Sequence, residues 1–238
     1  MSVTTKDVAV GPSPSQSRLA LFWVSSIGKK VLMALSGIIL FLYVVAHLLG
    51  NLQLYASSEA INSYAKLLHS NPGVLWFARI VLLASVGVHA IAGIQLWMRK
   101  REARPVAYHD KENIQASAAS RTMIVSGLLI GLFVVYHVLD LTMGVTRTSS
   151  QGYEELNPAY NVTHGFAYAP AAIAYIIAMV ALGFHLWHGV YSMFGTLGLT
   201  HPRYTENVKK LAAAVATLIA LANVSIPVAV LTGLVTYS

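Results

Sequence analysis

Five long apolar stretches alternate with short polar connections along the chain. They cover roughly residues 28–50, 75–98, 121–145, 170–197 and 209–236. A hydrocarbon core about 30 Å thick needs about 20 apolar residues in a helix to cross it, and each stretch reaches that length. The pattern therefore predicts an all-α integral membrane protein with a bundle of five transmembrane helices.

The composition agrees with a membrane protein. Hydrophobic residues make up 56% of the chain and charged residues 11%, whereas soluble domains carry roughly 25% charged residues. The net charge is +7, and the basic residues lie between the apolar blocks. This distribution indicates how the helices are oriented in the membrane, and we expect no nucleic-acid partner. The chain has no cysteine, which rules out thiolate and iron–sulfur ligation in it and leaves histidine as the main candidate metal ligand.

The basic residues assign the predicted sides of the membrane. Thirteen of the sixteen Lys and Arg residues lie in the N-terminal arm with its flank, between the second and third spans, or between the fourth and fifth. By the positive-inside rule these segments are cytoplasmic and the C-terminus is outside. We expect a cytoplasmic arm with an interfacial segment over residues 1–27 and a transmembrane domain over residues 28–238. No internal repeat of the kind that marks secondary transporters, no phosphate-binding loop and no nucleophile motif is evident, so a soluble-type active site is not expected.

Four of the predicted helices each carry a histidine inside the apolar span, at His47, His89, His137 and His185. Polar groups at that depth are costly and usually mark a pathway or a cofactor. At a rise of about 1.5 Å per residue, His47 and His137 lie toward the outer side, and His89 and His185 lie nearer the cytoplasm. The spacing predicts two stacked pairs of facing imidazoles, which is the ligand set of two b-type haems.

His188 lies about one turn beyond His185 on nearly the same face, so it is an alternative iron ligand or a contact of a haem propionate or a quinone. Small residues beside the histidines leave room for a flat macrocycle, although close helix packing in membranes also uses glycine. We expect ordinary solvated roles for the histidines of the connections. The small residues are Gly50, Gly87, Gly93, Gly183 and Gly189, and the connection histidines are His69, His109, His164 and His201.

Taken in order, these motifs resemble the diheme cytochrome b membrane subunit of succinate dehydrogenase and fumarate reductase, in its five-helix, single-chain form. The resemblance runs from about residue 25 to residue 237. The motifs that carry it include Ser25-Ser26-Ile27-Gly28-Lys29-Lys30, His47-Leu48-Leu49-Gly50-Asn51, Tyr136-His137 and His185-Leu186-Trp187-His188-Gly189.

The resemblance implies a subunit of a succinate dehydrogenase, the succinate:quinone oxidoreductase of the respiratory chain and the tricarboxylic acid cycle. Two haems b would pass electrons between a quinone, menaquinone in the diheme class, and an iron–sulfur subunit on the cytoplasmic face, itself joined to a flavoprotein subunit. It also implies a multi-pass protein of the bacterial cytoplasmic (inner) membrane, in contact with lipid, and leaves higher oligomers open. Polar candidates for the quinone site are Ser26, Lys29 and Ser36 on the cytoplasmic side and Asn51 and Asp140 on the outer side.

Three alternatives remain at this point. The same parts could run in reverse as a quinol:fumarate reductase. A haem b subunit of another quinone-linked dehydrogenase, such as a hydrogenase or a formate dehydrogenase, would also carry four membrane histidines. A small transporter or channel whose histidines relay protons would bind no haem.

Overall fold

The computed structural model describes residues 17–103, 121–148 and 151–237, so the predicted N-terminal arm before residue 17 and the connection over 104–120 lie outside the described residues. Over the described part the chain is helical and has no β-strand. Five helices there are long and apolar enough to cross a membrane, which confirms the predicted fold class. The helices are α1 (Arg18–Val24), α2 (Ser26–Asn51), α3 (Ser58–His69), α4 (Pro72–Glu102), α5 (Met123–His137), α6 (Pro158–Ala167), α7 (Ala169–Thr196) and α8 (Thr205–Leu231).

The last span ends earlier than predicted. The apolar pattern predicts a helix to residue 236, but α8 ends at Leu231. Gly233 adopts a φ of +74°, a left-handed conformation that ends helices and that glycine adopts without steric cost. Leu234 and Val235 continue the apolar pattern after the helix has stopped, so hydropathy alone overestimates its length.

Side-chain caps begin five of the eight described helices, α1, α2, α3, α4 and α6, whereas α5, α7 and α8 begin without one. The Oγ of Ser25 accepts a hydrogen bond from the Gly28 amide at 2.8 Å, which begins α2. The Oδ1 atoms of Asn71 and Asn157 cap α4 and α6, and each is followed by a proline in the first turn. An Asn-Pro pair is a strong start signal because the side chain satisfies a free amide and the proline has none to satisfy.

Four helices form a bundle and the fifth long helix lies outside it. α2 packs along α4, α5 packs along α7, and α8 packs along α7 with further contacts to α2. The α2/α4 hairpin meets the α5/α7 hairpin along α2 and α7 and, less extensively, along α4 and α5. α2 and α5, like α4 and α7, lie diagonally opposite and make little direct backbone contact. The centre of the bundle is therefore filled by side chains on the two diagonals.

Two short helices, α3 and α6, cover one end of the bundle, which we call the capped end. The amide of Asn62 joins them, since its Nδ2 donates to Asn157 Oδ1 at 2.8 Å and its Oδ1 accepts from the Ala159 amide at 3.0 Å. Phe166 of α6 packs in a buried apolar core with Tyr175 of α7. The capped end corresponds to the predicted outer side.

The opposite end is rich in Lys and Arg, and we call it the basic end. The predicted interfacial segment is a short helix there, α1, which meets α2 at the extended residue Ser25. Arg99 of α4 donates to the Val24 carbonyl at 2.7 Å and to Ser26 Oγ at 3.0 Å. The ammonium of Lys29 donates to the same carbonyl at 3.4 Å. These bonds fasten α1, α2 and α4 together.

We predict that Gly183→Leu destabilises the protein, because a Cβ at Gly183 would lie only 2.9 Å from the Cβ of Ala220 on α8. Overpacking of this kind lowers the free energy of unfolding by about 1–3 kcal/mol. Gly131→Leu is the matched control, because nothing lies within 4 Å of a Cβ there. Unfolding of the purified protein in detergent–SDS mixtures measures the difference, and equal stabilities would contradict the close approach of α7 and α8.

Candidate functional site: paired histidines in the bundle

The four span histidines meet in two pairs inside the bundle. The ring centroids of His47 and His137 are 5.7 Å apart with their planes at 87°. Those of His89 and His185 are 6.1 Å apart with their planes at 62°. Each pair crosses one diagonal of the bundle, the first toward the capped end and the second toward the basic end. The rings therefore meet in the two pairs that the spacing predicts.

The His89–His185 pair is held by hydrogen bonds to Nδ1 on both sides. The Met33 carbonyl lies 3.0 Å from Nδ1 of His89. Ser126 Oγ, which donates its own proton to the Met123 carbonyl, lies 3.3 Å from Nδ1 of His185. Since these oxygens act as acceptors, each Nδ1 carries the proton and each Nε2 keeps its lone pair. That is the form in which a neutral imidazole binds a metal.

The His47–His137 pair is held by aromatic rings instead. Tyr43 stacks on His47 at 5.4 Å and 20°. Phe133 and Tyr175 contact the ring of His137 at 5.7 and 5.8 Å. Nδ1 of His137 is buried and has no hydrogen-bond partner among the described residues. Packing, rather than hydrogen bonding, fixes the plane of this imidazole.

A buried ion pair lies one turn beyond His137. Asp140 Oδ1 accepts from Arg147 Nε at 2.7 Å and from Thr146 Oγ1 at 3.1 Å, and its Oδ2 accepts from the Tyr175 hydroxyl at 3.0 Å. The side chains of Asp140 and Arg147 are each 2% exposed. A π-helical turn over Val138–Thr142 carries Asp140, and such turns are frequent at functional sites. The two Nη atoms of Arg147 are buried without a partner in the described part of the chain.

The glycines closest to the paired histidines are not those that the sequence singled out. A Cβ at Gly37 would lie 3.3 Å from Cε1 of His89, and one at Gly127 would lie 3.4 Å from Cε1 of His185. Of the predicted set, Gly50 packs against Tyr64 and Gly183 against α8, whereas a Cβ would meet no atom closer than 3.9 Å at the other three. These three are Gly87, Gly93 and Gly189.

The two hairpins are built alike, although the sequence shows no repeat of the kind that marks secondary transporters. Residues 36–47 read SGIILFLYVVAH and residues 126–137 read SGLLIGLFVVYH, so both helices carry Ser-Gly followed by His after nine residues. Residues 87–93 and 183–189 share Gly-x-His-x₃-Gly. Each Ser-Gly pair packs against the histidine of its own hairpin's second helix. Histidines that pair across the bundle therefore occupy equivalent positions of the two hairpins, a signal that a search for short internal matches would have found.

The quinone candidates do not share one pocket. Ser26 and Lys29 lie at the basic end and bind Arg99 and the Val24 carbonyl, respectively. Ser36 donates to the Leu32 carbonyl at 2.7 Å and lies 3.5 Å from Nδ1 of His89. At the capped end, half-buried Asn51 ends α2, and Asp140 uses both carboxylate oxygens in the bonds described above.

His188 lies in a half-open cleft of about 440 Å³ at the basic end. The cleft is formed by the first turns of α2 and the last turns of α7. Lys30, Tyr191 and Ser192 line it together with His188, and Ile27 and Val31 supply apolar wall. A cation, an imidazole and hydroxyl groups thus converge on one space beside the His89–His185 pair.

The connection histidines differ among themselves. His69 and His201 are exposed, as expected. His164 is half-buried and stacks on Tyr160 at 3.8 Å, with Tyr237 at its edge, so the expectation of a solvated residue was wrong there. His109 lies outside the described residues. No cluster of three or more His, Asp or Glu side chains that could hold a metal occurs in the described ranges.

Comparison with protein families identifies one match. The model of the "Succinate dehydrogenase/Fumarate reductase transmembrane subunit" family matches residues 98–224, more than half of the chain. Comparison with curated proteins and with solved structures found no match. The matched range includes His137, His185 and His188, which lie on α5 and α7.

We predict that removing one partner of the buried ion pair lowers the free energy of unfolding more than removing both partners does. Asp140→Leu leaves the Arg147 charge uncompensated and lowers the free energy of unfolding by about 3–5 kcal/mol, whereas the double variant Asp140→Leu/Arg147→Leu recovers most of that loss. Glu206→Leu, which breaks the exposed pair with Lys209, is the control and changes stability by about 1 kcal/mol or less. A double-mutant cycle by SDS unfolding measures the coupling, and additive losses would contradict it.

Proposed function

The chain belongs to the family of succinate dehydrogenase/fumarate reductase transmembrane subunits, and from that premise we propose that it carries electrons between a quinone and the partner subunits of such a complex through two haems b. Membership makes it the membrane subunit of an oxidoreductase complex. The proposal adds the cofactors, the ligands and the direction.

The single observation that carries the proposal is the geometry of the two histidine pairs. If both imidazoles of a pair held one metal, with metal–nitrogen bonds of about 2 Å and about 1.2 Å from each nitrogen to its ring centre, their ring centroids would lie at most about 6.4 Å apart. The observed separations are 5.7 and 6.1 Å. Two neutral imidazoles on opposed helices, with no thiol in the chain, are a donor set that suits a non-covalent b-type haem.

In this proposal His47 and His137 hold one haem, and His89 and His185 hold the other. When bound, haem iron supplies a one-electron carrier, which is the chemistry that a quinone and an iron–sulfur partner require. The Met33 carbonyl and Ser126 keep Nδ1 protonated, which aims Nε2 of His89 and His185 at the metal and raises the basicity of both ligands. Gly37 and Gly127 let the neighbouring helices approach these rings.

The cleft around His188 supports a role in binding carboxylates. Its donors are Lys30, His188, Tyr191 and Ser192, which suit the propionates of the haem at the neighbouring His89–His185 pair. His185, not His188, forms the ring contact with His89. We therefore propose His185 as the iron ligand and His188 as a propionate contact.

We propose that the basic end faces the cytoplasm and carries the iron–sulfur and flavoprotein subunits. The clustering of Lys and Arg at that end supports this orientation through the positive-inside rule. With the iron–sulfur subunit at the basic end, electrons would pass across the bundle through the two haems in turn. We propose menaquinone as the quinone and succinate oxidation as the direction in a bacterial inner membrane, with fumarate reduction as the reverse use of the same parts.

We predict two b-type haems per chain in a dithionite-reduced minus oxidised spectrum of the purified complex. His47→Ala and His89→Ala should each remove one haem, and a different one, because their partners lie in different pairs. His201→Ala, on an exposed connection residue, is the matched control and retains both. Absence of haem from the wild type would favour a proton-relay protein, and loss of both haems with either variant would contradict independent pairs.

We predict that the complex, reconstituted in liposomes, reduces a menaquinone analogue with succinate as the electron donor. The same liposomes should show no reduction with hydrogen or formate, which distinguishes the complex from the other quinone-linked dehydrogenases. His89→Ala should abolish quinone reduction while succinate still reduces a soluble dye at the partner subunits. Reduction driven by formate or hydrogen alone would contradict the assignment.

A further inference from the structure

The two hairpins place similar groups around their histidines but differ at the capped end. Tyr43 and Phe133 occupy equivalent positions, one turn before His47 and His137, and each contacts the following histidine. In the second helix of each hairpin, ten residues before the histidine, the equivalent residues are Arg79 in α4 and Tyr175 in α7. Arg79 is exposed and lies over the Trp76 ring at 5.1 Å, whereas Tyr175 is 5% exposed. The repeat is broken where Tyr175 meets His137.

Tyr175 is fixed from several sides. Phe133 and Phe166 contact its ring edge-on, with centroids 4.9 and 4.7 Å away. Its hydroxyl donates to Asp140 Oδ2 at 3.0 Å. Asp140 is itself held by Arg147 in a pair whose side chains are 2% exposed, and a buried charge pair of this kind has little freedom to move. The position of the Tyr175 ring is therefore determined at both of its ends.

His137 depends on such a neighbour more than His89 and His185 do. Their Nδ1 atoms are held by the Met33 carbonyl and by Ser126, but Nδ1 of His137 has no partner in the described ranges. A histidine without that bond can rotate about its side-chain torsion unless packing prevents it. The contacts with Phe133 and Tyr175 supply the packing.

We infer that Tyr175 is a positioning residue that sets the plane of the His137 imidazole, and that the Asp140–Arg147 pair acts on this imidazole through Tyr175. The inference rests on the proposed function, in which His137 is an axial ligand. The buried ion pair then has a role beyond stability. The orientation of a ligand of one haem depends on a charge pair that is not itself a ligand.

Electron paramagnetic resonance of the oxidised complex tests this directly, because the largest g value of a low-spin ferric haem depends on the angle between its two imidazole planes. In Tyr175→Leu we expect the signal of the haem at His47–His137 to shift or broaden and that of the haem at His89–His185 to stay as in the wild type. Tyr175→Phe keeps the ring but removes its hydrogen bond to Asp140, so we expect a smaller shift of the same signal, and a wild-type line shape there would overturn the role of the ion pair. Tyr160→Leu, which removes a tyrosine ring elsewhere at the capped end, is the matched control and should move neither signal.

In every sample, an unchanged signal from the haem at His89–His185 shows that the variant is folded. If Tyr175→Leu loses both haems, Tyr175→Met provides the same test with a side chain closer in volume. A wild-type signal in a folded ring-deletion variant, or equal shifts of both signals, would overturn the inference while leaving two haems in place. A wild type without two haem signals would instead overturn the proposed function.

Discussion

An imidazole buried at the depth of the hydrocarbon core must be held by the protein, through hydrogen bonds at the His89–His185 pair and through packed aromatic rings at the His47–His137 pair, and this requirement organises the bundle. Water is absent at that depth, so a polar atom without a partner is costly. At the basic-end pair a backbone carbonyl and a serine take the Nδ1 protons, which leaves the Nε2 lone pairs to the haem iron that we propose. The close approach of Gly37 and Gly127 to these rings follows from the same need, since a larger residue would push the histidine away from its acceptor.

The repeated hairpin explains why the histidines pair as they do. Equivalent residues of two similar hairpins meet across the bundle, so one arrangement of Ser-Gly, His and Gly-x-His-x₃-Gly specifies both layers. α8 has no counterpart in this repeat, and it packs where Gly183 permits close approach. The departures from the repeat are therefore informative, and the largest is the replacement of an exposed arginine by the buried Tyr175 with its Asp140–Arg147 anchor.

Much of the fold was predictable because apolar length and helical rise are local properties. The five spans, the two histidine layers and their partners all followed from counting residues along the chain. The end of α8 was not predictable from hydropathy, because a glycine conformation decides it. Nor were the acceptors of His89 and His185, since Met33 contributes a backbone carbonyl that any residue would offer. The Asp140–Arg147–Tyr175 network joins residues from a helix, a turn and another helix, and its members carry no common spacing.

The pairing of equivalent positions also constrains how the protein is made. Each hairpin carries one member of each pair, and the partners are separated by 90 and 96 residues of sequence. During synthesis the first hairpin must therefore rest in the bilayer with His47 and His89 facing no opposite imidazole until α5 and α7 have been inserted. Both pairs form late and almost together, so insertion of the second hairpin, rather than of the first, is the step that completes the two histidine pairs proposed to hold the haems.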